Sequence, residues 1–171
     1  MRRKIVAYSA CLFVLGLIQS TVLDYIRVFN VKPNLLLAFV VVTALLRGNM
    51  EGAVIGFLSG LCLDVISGKL IGFYTLLCMY IGLIIGSVNK RLYRENFLIA
   101  VFFTFVATFT YEYTVYFFSI FLKGKGDLLF PLKAVILPEA VYNCVLSIPL
   151  FIIMLKLHYA FEDAGRASRK Y

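Results

Sequence analysis

The chain has 171 residues, 62% of them hydrophobic and only 15% charged, with a formal net charge of +8. A mean hydropathy of +0.93 excludes an ordinary water-soluble globule, and the charges cluster between apolar runs instead of spreading over helical faces. The basic excess is dispersed over connections and tails and forms no stripe, so it argues against nucleic acid as a partner and for positively charged cytoplasmic loops.

Six apolar runs predict an all-α polytopic membrane protein, with six transmembrane helices in one bundle. They fall at residues 5–23, 32–47, 50–66, 71–88, 97–122 and 133–157, within a single transmembrane domain of residues 1–160. A polar cytoplasmic tail follows at 161–171. The first run follows Arg2, Arg3 and Lys4, as a secretory signal would. No small-x-small cleavage site comes after it, so it is read as a retained span. The second run opens at Pro33, a residue tolerated in a first helical turn. The second and third runs are both short of the ~20 residues that cross about 30 Å of hydrocarbon. Turned at Arg47, Gly48 and Asn49, they form a helical hairpin that either crosses the bilayer or is re-entrant.

The third run carries Gly52, Gly56 and Gly60, then Asp64, at every fourth residue. Each glycine costs a water-exposed helix roughly 1 kcal/mol relative to alanine. In a bilayer the same spacing lets a second backbone approach closely, which offsets that cost. The ridge is expected to pack inside the protein against the second and fourth spans, where Gly82 and Gly86 form another such pair. The fifth run is aromatic and longer than a bilayer needs, implying tilt or an emergent end.

With both termini in the cytoplasm, the inner side holds eleven of the 17 lysines and arginines, including the loop residues Lys90, Arg91 and Arg94. The outer side then holds six, which favours this orientation. The basic loop is expected to meet anionic lipid or a partner. Cys11, Cys62, Cys78 and Cys144 lie inside apolar runs with no metal-ligand spacing, and His158 is the only histidine. No cofactor or metal is expected.

Four polar residues inside spans need explaining: Asp64, Glu112, Glu139 and Asn143. A carboxylate at mid-bilayer costs about 2.5–3.5 kcal/mol on insertion scales. Asp64 sits near the outer end of its run, where it either ties up backbone groups with Ser67 at the Gly68 turn or serves as a functional acid. Glu112 is flanked by Tyr111, Tyr113 and Tyr116, whose hydroxyls are expected to hydrogen-bond it. Glu139 follows Pro138, which is expected to free a carbonyl one turn earlier, and Asn143 lies one turn on. Glu139, Asn143 and Glu112 are expected to face one polar interior or partner-facing groove. No lysine or arginine is expected at their depth, leaving protonated acids or water as company. No nucleophile–base pair or ligand set converges, so the chain is not read as an enzyme.

Several of these residues carry a resemblance. Pro33-Asn34-Leu35-Leu36-Leu37, Arg47-Gly48 with the glycine ridge, and Leu63-Asp64-Val65-Ile66-Ser67-Gly68 with Gly72-Phe73-Tyr74-Thr75-Leu76 resemble the MreD family of rod-shape-determining proteins. Leu137-Pro138-Glu139-Ala140-Val141-Tyr142-Asn143 with Pro149 resembles that family's last span. The resemblance implies a non-enzymatic membrane subunit of the bacterial cell-elongation complex, in the cytoplasmic membrane. Its implied partners are MreC directly, with MreB, the elongation-specific peptidoglycan synthases and membrane lipids around it. It also implies a fold similar to the substrate-binding subunit of energy-coupling-factor transporters, and hence the alternative of a small-ligand (vitamin-type) binding membrane subunit. That alternative needs a polar pocket furnished by outer loops, which here offer little beyond Asp24, Asn30, Lys69 and Asp127.

Overall fold

The computed structural model describes residues 2–23, 25, 31–68, 71–88, 96–123 and 135–167. Its elements are six helices: α1 (Arg2–Thr21), α2 (Leu35–Arg47), α3 (Asn49–Ser67), α4 (Phe73–Val88), α5 (Phe97–Lys123) and α6 (Leu137–Ala167). Among the described residues, three stretches are long and apolar enough to cross a membrane: Asn49–Ser67, Phe97–Phe118 and Leu137–Ala160. The apolar parts of α1, α2 and α4 are shorter.

The helix α2 is the interior of the protein. All twelve residues from Leu35 to Leu46 are buried, and α2 touches each of the other five helices. A helix apolar on every side suits such a position, since no face needs to meet water. It has 13 residues, or about 20 Å at 1.5 Å per residue, so it is shorter than a bilayer core. Non-helical chain at membrane depth is tolerated only where protein satisfies its backbone groups, and three amide side chains do that here. Gln19 Nε2 donates to the Pro33 carbonyl (3.2 Å), and Gln19 Oε1 accepts from the Leu35 amide (2.9 Å). Asn143 Oδ1 accepts from the Asn34 amide (2.7 Å), and Asn34 Oδ1 caps α2 at the Leu37 amide (3.0 Å). Pro33 therefore does not occupy the first helical turn; it precedes the Asn34 cap. The proline helps hold Lys32 in the extended entry, because the residue before a proline is biased to extended backbone.

The closest helix pair is α3 with α4, and glycines line their contact. A Cβ added at Gly52 would lie 2.8 Å from the Gly82 carbonyl oxygen and 2.7 Å from the Ala44 Cβ of α2. One at Gly56 would strike the Cys78 carbonyl, and one at Gly60 the backbone of Tyr74 and Thr75. From the other side, Gly82 meets the backbone of Gly52, and Gly86 that of Asn49. Backbone-to-backbone contact of this kind adds dispersion over the whole helix length, where lipid offers no hydrophobic drive for association.

A single residue, Gly48, joins α2 to α3 at φ +92°, in the left-handed region that glycine adopts without a Cβ penalty. Beside this turn Arg47 pairs with Glu51 through two nitrogens, at 2.6 and 3.0 Å. Its guanidinium also lies 3.4 Å from His158 Nδ1 and 5.8 Å from the centroid of the Tyr8 ring. One cation thus ties α1, α2, α3 and α6 together at this end.

Pro138 is the second residue of α6, and Ala134, whose carbonyl it is expected to free, lies outside the described residues. Pro149 is the helix-interior proline.

Candidate functional site

At the opposite end of the helices from Arg47, where α1 and α3 finish and α2, α4 and α6 begin, is a cavity of about 650 Å³. Its polar wall includes Lys32, Tyr74, Tyr111, Glu112, Tyr116 and Glu139. Glu112 and Glu139 line the same wall, close enough for each carboxyl to act on the other. Two carboxylates offer each other only acceptors, so neither can satisfy the other while both are ionised. Glu139 is 7% exposed, and the Lys32 ammonium is close enough to act on it electrostatically.

Lys32 overturns the expectation that no cation lies at the depth of these acids. It belongs to the extended entry of α2, so the count of residues along a straight span misplaces it. The unwinding of residues 31–34 is what brings it beside Glu139. Of the three tyrosines expected around Glu112, Tyr111 and Tyr116 line the cavity. Tyr113 does not: it is 41% exposed and stacks on Phe109, with ring planes 3° apart. Tyr74, from α4, takes its place in the wall and packs 6.0 Å from the Tyr111 ring. A tyrosine at the start of one apolar run gave no signal that it would face an acid on another.

Asn143 is fully buried but does not line the cavity. It sits beneath it, donating from Nδ2 to Thr108 Oγ1 (3.0 Å) while accepting from the Asn34 amide. One side chain thereby joins α6, α5 and the entry to α2. Replacing Asn143 with leucine leaves the Asn34 N–H and the Thr108 hydroxyl without this partner, at about 1–3 kcal/mol for each orphaned buried group. Thermal unfolding in detergent is expected to show a clearly lowered midpoint, with Thr108→Val showing a smaller drop.

Asp64 is 2% exposed and works across the turn from α3 to α4. It accepts from the amides of Gly72 (2.8 Å), Tyr74 (3.0 Å) and Thr75 (3.3 Å), and from the Thr75 hydroxyl. Those amides are the otherwise unpaired donors of the first turn of α4, where the helix dipole also favours a negative charge. Gly68, left-handed at φ +61°, ends α3 and donates its N–H to the Asp64 carbonyl.

Gly52, Gly56, Gly60, Gly82 and Gly86 are on the α3–α4 contact, away from the polar wall. Lys90, Arg91 and Arg94 lie outside the described residues, as do the loop residues Asp24, Asn30, Lys69 and Asp127. The described wall of the cavity is made by the ends of α1, α3, α4 and α6, by the second half of α5 and by the entry to α2. Sequence reasoning passed over Lys32, Gln19, Asn34 and Tyr74; amides at the ends of apolar runs, in Gln19 and Asn34, were the available signal. No group of three or more His, Cys, Asp or Glu side chains able to hold a metal occurs among the described residues.

Long apolar helices around a wholly internal α2, with buried amides and carboxyls paired to protein groups, define an integral membrane protein. A family model described as rod shape-determining protein MreD matches residues 1–161. The chain belongs to the MreD family, a family of structural membrane proteins with a role in rod shape determination. Comparison with curated proteins and with solved structures gave no match.

Proposed function

We propose that this chain is a non-enzymatic membrane subunit of the bacterial cell-elongation complex, which binds MreC and helps organise peptidoglycan synthesis. The observation that carries the proposal is the family match, which runs through α1 to α5 and most of α6. MreB and the elongation-specific synthases are its further partners within the complex. All six helices cross the cytoplasmic membrane in one bundle similar to the substrate-binding subunits of energy-coupling-factor transporters. Both termini are cytoplasmic, which puts the cavity on the outer side and Arg47 on the inner side. Lys90, Arg91 and Arg94 then face anionic lipid or a cytoplasmic partner.

The exposed surface supports this role. With α2 sealed inside, the outer faces carry large apolar side chains, among them Phe13 and Leu17 on α1 and Val141, Val145 and Ile152 on α6. In the bilayer such faces meet lipid or the span of another protein, and the latter association rests on fit and not on hydrophobic drive. The alternative, a small-ligand subunit of an energy-coupling-factor transporter, has the cavity in its favour. Purification of the full chain in mild detergent with its MreC neighbour tests the proposal. Stable co-elution is expected; co-elution with a vitamin-transport ATPase module in place of MreC overturns it.

A further inference from the structure

We infer that the cavity between Lys32, Glu112 and Glu139 is a binding site for a primary ammonium group. The chemistry is that of a soluble alkylamine or of the ethanolamine head group of a phospholipid. Two carboxyls line one cavity, and among the described residues Lys32 is the cation that acts on Glu139. With Lys32 balancing one carboxylate, the other needs a proton or a bound cation, since an unbalanced charge in a low-dielectric site is costly.

The walls suit a cation. Tyr74, Tyr111 and Tyr116 line the cavity together with the acids, and cations are attracted to aromatic rings as well as to carboxylates. A primary ammonium brings three donors, enough to serve Glu112 and Glu139 together. The volume of about 650 Å³ lies within the range of roughly 300–1,000 Å³ typical of small-molecule sites, so it holds more than a bare ion. Gln19 and Asn34 also reach the wall, but their amide groups are engaged in holding the entry to α2. They give the site a fixed rim and leave the acids to select the ligand. This inference is independent of MreC binding, which is measured separately.

The test is native mass spectrometry of the purified full chain with matched probes. One pair is an ethanolamine phospholipid and the same lipid with its amine acetylated; the other is hexylamine and N-acetylhexylamine. Retention of an ammonium probe at least fivefold above its acetylated counterpart is expected, with that preference lost in Glu112→Gln/Glu139→Gln. Preference within the lipid pair alone assigns the source to the bilayer, and preference within the hexylamine pair alone assigns it to a soluble amine. Equal retention within both pairs by the unsubstituted protein overturns the inference, and this comparison needs no variant to fold. A preference that persists in the folded double variant also overturns it.

Discussion

Asp64→Ala is expected to lower the unfolding free energy by about 3–5 kcal/mol, since it orphans several buried donors at about 1–3 kcal/mol each. The carboxylate is the acceptor for three backbone amides and one hydroxyl at the start of α4. Charged hydrogen bonds of this kind are each worth about 1.5–3 kcal/mol. Alanine removes all four at once, and in the bilayer no water stands ready to replace the lost acceptor. The damage should concentrate at the α3–α4 connection, because Gly68 still ends α3 through its own N–H bond to the Asp64 main-chain carbonyl. Asp64→Asn keeps one oxygen acceptor but points an NH₂ at donors, so its loss should fall between alanine and the unsubstituted protein. The measurement is equilibrium unfolding in mixed micelles, with folded yield in membranes alongside. An alanine variant that unfolds like the unsubstituted protein yet loses its biological role would make Asp64 a functional acid instead.

The sequence made the helices legible and left the cavity hidden, for different physical reasons. Each helix is an apolar run between polar or glycine-bearing breaks, and that contrast is local. Even there one feature escaped: α2 begins at Leu35, not at Pro33 or before, because residues 31–34 are held extended by Gln19, Asn34 and Asn143. The Asn143–Asn34 bond joins residues 109 apart, and nothing local announces it. Lys32 follows from the same cause. Counting positions along an ideal span set it apart from Glu139, whereas an unwound entry brings it to the same wall. Acids inside spans were conspicuous because they are expensive in hydrocarbon. Which of their neighbours would face them was not, since Tyr113 and Tyr111 are two residues apart and point to lipid-side and cavity-side surroundings respectively. The Arg47 cluster was equally silent, as Tyr8 and His158 stand 150 residues from each other.

Gly56→Leu is expected to damage folding before it damages any partnership. Its Cβ would strike the Cys78 carbonyl carbon and oxygen and approach the Met79 Cα, all backbone atoms of α4. A side chain in the way can rotate aside, which keeps ordinary overpacking to about 1–3 kcal/mol. Backbone cannot, so α3 and α4 must separate along the face shared by Gly52, Gly56, Gly60, Gly82 and Gly86, and the loss should exceed that range. Separation would also pull α3 from α2, since Gly52 of α3 rests against Ala44 of α2. Gly16→Leu supplies the control: on α1 a Cβ at Gly16 meets nothing within 4 Å. There the exchange removes only the helix penalty of glycine, roughly 1 kcal/mol, and should leave stability equal or slightly higher. Folded yield and unfolding midpoint, measured before any co-purification with MreC, decide the order of effects. Normal folding of Gly56→Leu together with lost MreC binding would show that this glycine face belongs to a partner and not to α4.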